Sequence, residues 1–155
     1  LVQDVFRSVA KRHPVLQAEE LQVDAACALV VRDPARFDVV AATNLFGDIF
    51  SDVAAEMGGG LGLAPSANIG SSYALFEPVH GSAPDIAGKG IANPVAAVLS
   101  GALLADHVGQ GDVARRVESA VVGWFREGTT KTKDLGGNAT TADATKELAR
   151  LASGR

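Results

Sequence analysis

The chain has 155 residues, of which 47% are hydrophobic and 21% are charged, and its formal net charge at pH 7 is −4. This length is enough for a globular domain with a sizeable core. The weakly acidic balance, with lysine and arginine scattered along the chain, argues against binding to nucleic acid or to an anionic membrane surface.

The chain contains a single cysteine, Cys27, in the apolar run ACALVV. We expect it to be a buried structural thiol, since it has no partner for an internal disulfide. The sequence shows no signal peptide and no apolar run of about 18 residues, so we expect a cytoplasmic protein without a membrane span. The first residue is Leu1, in the middle of a helical pattern, which favours a piece of a longer protein.

Residues 1–42 are predicted to form two helices and a strand. Apolar residues at helical spacing predict a helix from Val2 that ends before Pro14. Asp24 stands where an N-cap is expected, at the start of a second helix that stops before Pro34. The continuous apolar run at 38–42 is typical of a strand that is buried on both faces.

The run NLFGDIFSD at 44–52 predicts a third helix, begun by Thr43 or Asn44 and ended by Gly58. Asp48 and Asp52 are four residues apart, so their Cβ atoms lie roughly 5–6 Å from each other on one face. Two like charges at this spacing repel each other and weaken a helix.

This pair of aspartates has two interpretations. One is a solvated acidic face, and the other is a site for a hard divalent cation such as Mg²⁺, which takes oxygen ligands. The apolar neighbours Leu45, Ile49 and Val53 favour a charged partner for the pair, because charges in apolar surroundings need one. The spacing alone leaves both interpretations open.

The second half of the chain begins with irregular segments. The run LGLAPSANIG at 61–70 predicts a loop, because it is rich in Gly, Pro, Ser and Asn. Residues 73–76 predict a short strand. The fifteen residues at 79–93 have little regular pattern, and a loop of this length inside a compact domain is usually functional or disordered. Ile86 and Ile91 within it favour order.

Three helices are predicted beyond this loop. One is opened by Pro94 and closed by Gly109, one spans about 112–127, and one begins near residue 141 with Thr140 or Thr141 as its cap. Trp124 lies on the apolar side of the middle helix, so we expect it in the core. His107 lies near a helix C-terminus, where we expect a structural role. Strands alternate with helices, so the predicted fold class is α/β.

Three blocks of the sequence resemble one enzyme family: DVVAATNLFGDIFSD, GGGLGLAPSANIG and FEPVHGSAPDIAGKGIANP. The chain is similar over nearly its whole length to the C-terminal half of isocitrate/3-isopropylmalate dehydrogenases, which are NAD(P)-dependent β-decarboxylating enzymes. The resemblance implies their α/β fold, distinct from the Rossmann fold, in a partial chain. It implies that residues 1–60 belong to the smaller, dimer-forming domain and residues 61–155 to the larger domain.

The resemblance gives three aspartates a role. Asp48 and Asp52 match the two family aspartates that bind Mg²⁺ or Mn²⁺ together with the 2-hydroxy acid. Asp24, in the segment VDA, matches a third that reaches over from the partner subunit of a homodimer, as a metal ligand and as the base for the substrate hydroxyl. The family's catalytic tyrosine and lysine match no residue of this chain, so we expect the chain to be inactive alone.

The resemblance also places the dinucleotide on residues 80–93, which we call the cofactor loop. No Gly-x-Gly-x-x-Gly or Walker-type motif competes with this assignment. By resemblance, the residues that line the site are Glu77, near the nicotinamide, and His80, Gly81, Ser82, Ala83, Asp85, Ile86 and Asn93. A carboxylate at Asp85 accepts a hydrogen bond from a ribose 2′-hydroxyl and repels a 2′-phosphate, which predicts NAD as the cofactor.

The substrate class implied by the resemblance is a 2-hydroxy acid with a β-carboxylate. The tail TKTKDLGGNATT slightly favours isocitrate or homoisocitrate, with 3-isopropylmalate and tartrate still open. Two alternatives belong to other classes: a non-catalytic regulatory or assembly subunit, and a truncated remnant that still dimerises. If half of the enzyme is missing from the chain, apolar faces near the N-terminus should be exposed.

Overall fold

The computed structural model describes residues 1–154 and divides into two compact units, Leu1–Ala54 and a second that begins at Ala55. The helices are α1 (Val2–Ala10), α2 (Val23–Arg32), α3 (Asn44–Met57), α4 (Val95–His107), α5 (Gly111–Glu127) and α6 (Thr141–Ala152). The strands are β1 (Pro65–Ile69) and β2 (Ala74–Pro78), and single 3₁₀ turns lie at Pro34–Arg36, Leu61–Leu63 and Lys133–Leu135. The α/β fold class and all six predicted helices are confirmed.

The first unit has little core of its own. Its buried hydrophobic residues are Ala26 and Val30, both on α2. Along α1 no residue is buried. Large apolar side chains stay exposed on its three α-helices and between α2 and α3: Val2, Val5, Val31, Val39, Leu45, Phe46 and Ile49. The expected exposure of apolar faces near the N-terminus is therefore confirmed.

Two predictions for the first unit are wrong. The N-cap of α2 is Gln22, so Asp24 lies inside the first turn rather than at the cap. Residues 38–42 form no strand; Val39 is 90% exposed and Val40 is 45% exposed. A strand needs a neighbour to pair its backbone groups, and none lies beside this run within residues 1–154.

The second unit is built on the packing of α5 against α4 and α6. Its core cluster consists of five buried residues from these helices: Val95, Val121, Trp124, Ala144 and Leu148. Trp124 is 1% exposed, and its Nε1 donates a hydrogen bond of 2.7 Å to Thr130 Oγ1. The predicted core position of Trp124 is confirmed.

An antiparallel hairpin of β1 and β2 packs on α4. The predicted strand at 73–76 is confirmed, with its ends shifted by one or two residues, by β2. The predicted loop at 61–70 is wrong, because its second half forms β1, with Ser66 opposite Glu77. Composition favoured a loop there, but pairing with β2 satisfies the backbone of β1 whatever its side chains are. Pro65 occupies the first strand position, where a missing N–H is tolerated.

Two smaller expectations concern Cys27 and His107. Cys27 is partly buried on α2, so its burial is less complete than expected. His107 ends α4, and its ring lies 5.3 Å from that of Phe76, a contact that fits a structural role. Among the helices of residues 1–154, none combines the length and the apolar character needed to cross a bilayer.

Candidate functional site

Asp48 and Asp52 lie on α3 with their side chains exposed. At about 100° per residue the two positions differ by roughly 40° around the helix, so they share a face. Phe50 lies on the opposite side, where its ring packs 5.3 Å from Phe37. Packing of that aromatic pair therefore leaves the two aspartates on the outer face of the helix.

Neither of these carboxylates forms an ion pair within residues 1–154. Asp48 Oδ2 accepts a weak hydrogen bond of 3.4 Å from Asn44 Nδ2, and the ion pairs of the described residues involve neither aspartate. Two unpaired carboxylates one helical turn apart present the oxygen donors that Mg²⁺ and Mn²⁺ prefer. The donor set on α3 therefore fits a hard divalent cation.

Asp24 lies in the first turn of α2 and is exposed. Its Oδ1 accepts a hydrogen bond of 2.8 Å from the backbone N–H of Ala25, while Oδ2 has no such partner within residues 1–154. A carboxylate in the first turn is also favoured by the helix dipole. In residues 1–154, no group of three metal-binding side chains is assembled, so the structure does not bring Asp24 together with Asp48 and Asp52.

The cofactor loop is a series of turns with an exposed N-terminal part. Ala83 has φ = +40°, the one positive value among the non-glycine residues of 1–154. Such a backbone costs of order 1–3 kcal/mol and tends to occur at functional sites. The turn is closed by the N–H of Ile86, which donates to Ala83 O at 3.1 Å. His80, Gly81, Ser82, Ala83 and Asp85 are all exposed, Ile86 is partly buried and Asn93 is partly buried.

Five predicted cofactor residues carry side chains able to hydrogen-bond a ligand; besides Ser82 and Asn93 they are His80, Asp85 and Glu77. His80 Nδ1 lies 2.9 Å from Gly81 O, and Nδ1 is the donor because a carbonyl oxygen can only accept. Asp85 has neither an ion pair nor a hydrogen bond to its side chain within residues 1–154, so its oxygens are available to a ribose hydroxyl. Glu77 is exposed on β2. The structure thus places all three at the surface of the second unit.

The C-terminal end of the cofactor loop is anchored by residues that the sequence analysis missed. Asn93 Nδ2 donates to Asp134 Oδ2 at 2.9 Å. Thr141 donates twice, from its N–H to Gly90 O at 2.8 Å and from its hydroxyl to Ala92 O at 2.6 Å. These partners are 41 to 51 positions away from the loop, and no periodicity or local motif links the two segments.

Residues 1–149 of the chain match the isocitrate/isopropylmalate dehydrogenase family. The chain belongs to this family. The 3-isopropylmalate dehydrogenase of Archaeoglobus fulgidus is 54% identical over 151 residues, which are 97% of this chain and 46% of that protein. The isocitrate/homoisocitrate dehydrogenase of Thermus thermophilus is 53% identical over 145 residues, which are 94% of this chain and 43% of that protein.

The fold of the family is confirmed by a solved structure. The isocitrate dehydrogenase from Methylococcus capsulatus superposes with a TM-score of 0.92 at 46% identity, over 97% of this chain and 45% of that one. The chain therefore spans slightly less than half the length of these relatives. Its resemblance to isocitrate/isopropylmalate dehydrogenases, a family of oxidoreductases, is confirmed.

Proposed function

We propose that this chain is the C-terminal half of an NAD-dependent, divalent-metal-dependent β-decarboxylating dehydrogenase. The substrate would be a 2-hydroxy acid with a β-carboxylate. The observation that carries the proposal is the pair Asp48 and Asp52, two exposed and unpaired carboxylates on one face of α3 in a chain of this family. The coverage of 43–46% of the relatives' lengths supports a partial chain.

Asp48 and Asp52 would hold the cation, Mg²⁺ or Mn²⁺, together with oxygen atoms of the hydroxy acid. A bound cation supplies Lewis-acid chemistry, since it stabilises negative charge on substrate oxygen atoms during oxidation and decarboxylation. The outward orientation of the pair leaves room for a substrate and for groups from another chain.

Asp24 would accept the proton of the substrate hydroxyl and would contribute from a second copy in a homodimer. Its exposed Oδ2, free of hydrogen bonds within residues 1–154, is available for this task, while the Ala25 N–H on Oδ1 orients the carboxylate. The exposed apolar residues of α1 and α3 support association with further protein, because they leave a large apolar surface in water.

The second unit would bind NAD, which accepts the hydride. Asp85 would accept a hydrogen bond from the ribose 2′-hydroxyl, and the small residues Gly81, Ser82 and Ala83 would let the phosphates approach the backbone. Glu77 would lie near the nicotinamide, with His80, Ile86 and Asn93 completing the site. The partly buried Ile86 and Asn93 would form its floor.

The proposed substrate is a class, the 2-hydroxy acids with a β-carboxylate, and not one named acid. Isocitrate and homoisocitrate are slightly favoured by the tail at 130–141, while 3-isopropylmalate is the substrate in the name of a relative of almost equal identity. A non-catalytic regulatory subunit would be expected to lack carboxylates of the metal site. Because Asp24, Asp48 and Asp52 are all present, we favour the enzyme.

The proposal is tested with the complete protein of which this chain would be the C-terminal half. NAD reduction is measured with Mg²⁺ and isocitrate, homoisocitrate, 3-isopropylmalate or tartrate, for the wild type, Asp48→Asn and the control Glu56→Gln. Glu56 is an exposed acid on the same helix, so the control loses the same charge. We expect one substrate to stand out in kcat/KM, a loss of at least about 100-fold in Asp48→Asn, and little change in the control. No turnover of any of the four acids by the wild type would refute the proposed dehydrogenase activity.

A second arm tests the partial chain. We expect no NAD reduction by the 155-residue chain alone, because the family's catalytic tyrosine and lysine match none of its residues. Turnover by the purified chain with any of the four acids would show that these groups are not required.

A further inference from the structure

The side-chain amide of Asn93 is held at both ends. Oδ1 accepts a hydrogen bond of 3.0 Å from the N–H of Val95, the first residue of α4. Nδ2 donates to Asp134 Oδ2 at 2.9 Å. The orientation of the amide follows from chemistry, since a backbone N–H requires an acceptor and an ionised carboxylate requires a donor. Asn93 keeps one N–H and one acceptor lone pair for a ligand, in a fixed orientation.

A third segment, the turn Leu61–Leu63, packs against Asn93 and Asp134. A Cβ atom at Gly62 would lie 3.3 Å from both Asn93 Cβ and Asp134 Oδ2. The absence of a side chain at Gly62 therefore lets the turn Leu61–Leu63 pack directly against these two residues. Three segments that are remote in sequence meet at the Asn93–Asp134 hydrogen bond, which is a charge-assisted contact of the stronger kind.

The Asp134 carboxylate is the part of this arrangement that comes from outside the cofactor loop and outside α4. Val95 fixes the oxygen of the amide from two positions further along the chain. Asp134 fixes its nitrogen from a 3₁₀ turn 41 positions later. Together with the two hydrogen bonds of Thr141, the first residue of α6, it connects residues 90–93 to the 3₁₀ turn Lys133–Leu135 and to the start of α6.

We propose that Asp134 is a positioning residue for NAD: through the amide of Asn93 it holds the C-terminal end of the cofactor loop in the shape that receives the dinucleotide. This inference rests on the proposed function. A loop that is already ordered binds more tightly than one that must be ordered on binding. Loss of Asp134 should therefore weaken NAD binding selectively, with little effect on the hydroxy acid or on turnover at saturating NAD.

The experiment measures equilibrium NAD binding and steady-state kinetics of the complete protein. For Asp134→Ala we expect the Kd and the KM for NAD to rise about tenfold, which corresponds to about 1.4 kcal/mol. The kcat and the KM for the hydroxy acid should stay within about twofold. The matched control is Asp112→Ala, which removes an exposed carboxylate from the first turn of α5 and should leave the Kd for NAD unchanged.

An exchange of the two side chains distinguishes positioning from general support of the fold. Asn93→Asp alone places two carboxylates opposite each other and should weaken NAD binding more than Asp134→Ala does. The double variant Asn93→Asp with Asp134→Asn restores both hydrogen bonds with one polarity reversed. It should bind NAD at least about threefold more tightly than Asn93→Asp alone, since both variants lack the remaining N–H of Asn93. This variant also serves if Asp134→Ala fails to fold.

The outcomes separate the two proposals. A wild-type protein that binds no NAD would overturn the proposed function and this inference with it. A wild-type protein that binds NAD while Asp134→Ala binds it equally well would overturn the inference alone, as would a double variant that binds NAD no more tightly than Asn93→Asp. A selective rise in the Kd for NAD in Asp134→Ala, together with tighter binding by the double variant than by Asn93→Asp, would support the inference.

Discussion

The indole of Trp124 donates a hydrogen bond of 2.7 Å from Nε1 to Thr130 Oγ1. The largest side chain in the core of the second unit is thereby joined to the start of the segment that carries Asp134. Thr130, which holds the core tryptophan, and Asp134, which holds the cofactor loop through Asn93, therefore lie in one short segment of the chain. Changes in the segment 130–141 should affect both stability and cofactor binding.

We expect Thr130→Val to destabilise the chain by about 1–3 kcal/mol, because the substitution keeps the side-chain shape and leaves the buried Trp124 N–H without an acceptor. The measurement is the free energy of unfolding from urea denaturation. Thr129→Val is the control, since Thr129 is exposed. Equal effects of the two substitutions would show that the hydrogen bond contributes nothing specific.

Gly137 allows a close approach of backbone that no other residue permits. Its N–H donates to Thr132 O at 2.9 Å, and a Cβ atom there would overlap the carbonyl oxygen of Lys131. Gly137→Ala should therefore cost several kcal/mol of stability, or displace the segment that carries Asp134.

Gly101→Ala is the control for that substitution. Gly101 lies in α4 with open space around its Cβ position, so alanine should stabilise the helix by about 0.5–1 kcal/mol. Urea denaturation measures both variants, and a Gly137→Ala protein as stable as the wild type would contradict the predicted clash.

The capping box of α6 predicts a pH dependence of stability. The pKa of Asp143 is lowered from its ordinary value, first by a hydrogen bond from the Thr140 hydroxyl and then by one from the Thr140 backbone N–H. A carboxyl group with a lowered folded-state pKa stabilises the fold above its unfolded pKa of about 3.9. That contribution is lost as the pH falls through the folded pKa.

The measurement for this prediction is the free energy of unfolding between pH 7 and pH 2, for the wild type and Asp143→Asn. The wild type should be the more stable protein at pH 7, and the difference should shrink below about pH 4. Asp112→Asn, a substitution outside the capping box, should show less of this change. If the difference between wild type and Asp143→Asn stayed constant with pH, the two hydrogen bonds from Thr140 would not be the origin of the pH dependence.

Asp85 should decide between the two nicotinamide cofactors. In the complete protein, Asp85→Lys removes the acceptor for the ribose 2′-hydroxyl and adds a cation that would attract a 2′-phosphate. We expect the ratio of kcat/KM for NAD over NADP to fall by at least about 100-fold. Asp112→Lys, the same substitution at an exposed carboxylate outside the cofactor loop, should leave the ratio near that of the wild type. An unchanged ratio in Asp85→Lys would remove Asp85 from the cofactor site.

The sequence predicted best those features that depend on local pattern. Apolar spacing located α5 with Trp124 in the core. The cap of α6 was predicted to be Thr140 or Thr141, and it is Thr140. These features form because neighbouring residues on one helix suffice to define them. The family resemblance was specific for the same reason, since its blocks are continuous in sequence.

The wrong predictions involve partners that are remote in sequence. Residues 38–42 have the composition of a buried strand, but no strand lies beside them in residues 1–154. The strand β1 was missed because its pairing with β2 outweighs a loop-like composition. Asp134 was missed because its contact with Asn93 spans 41 positions. Contacts between residues that are remote in sequence depend on the whole fold, so a local sequence pattern does not predict them.

Asp48 and Asp52 are central to the proposed function, as the pair that holds a divalent cation for the hydroxy acid. The most direct test is a titration of the complete protein with Mn²⁺ in the presence of its hydroxy acid, followed by the loss of the electron paramagnetic resonance signal of free Mn²⁺. We predict one tight Mn²⁺ per active site in the wild type and in Glu56→Gln. In the Asp48→Asn, Asp52→Asn double variant we predict affinity lower by about 100-fold or more, since loss of a residue that only hydrogen-bonds a metal ligand already costs about 10–100-fold. A double variant that binds Mn²⁺ as tightly as the wild type would contradict the proposed metal site.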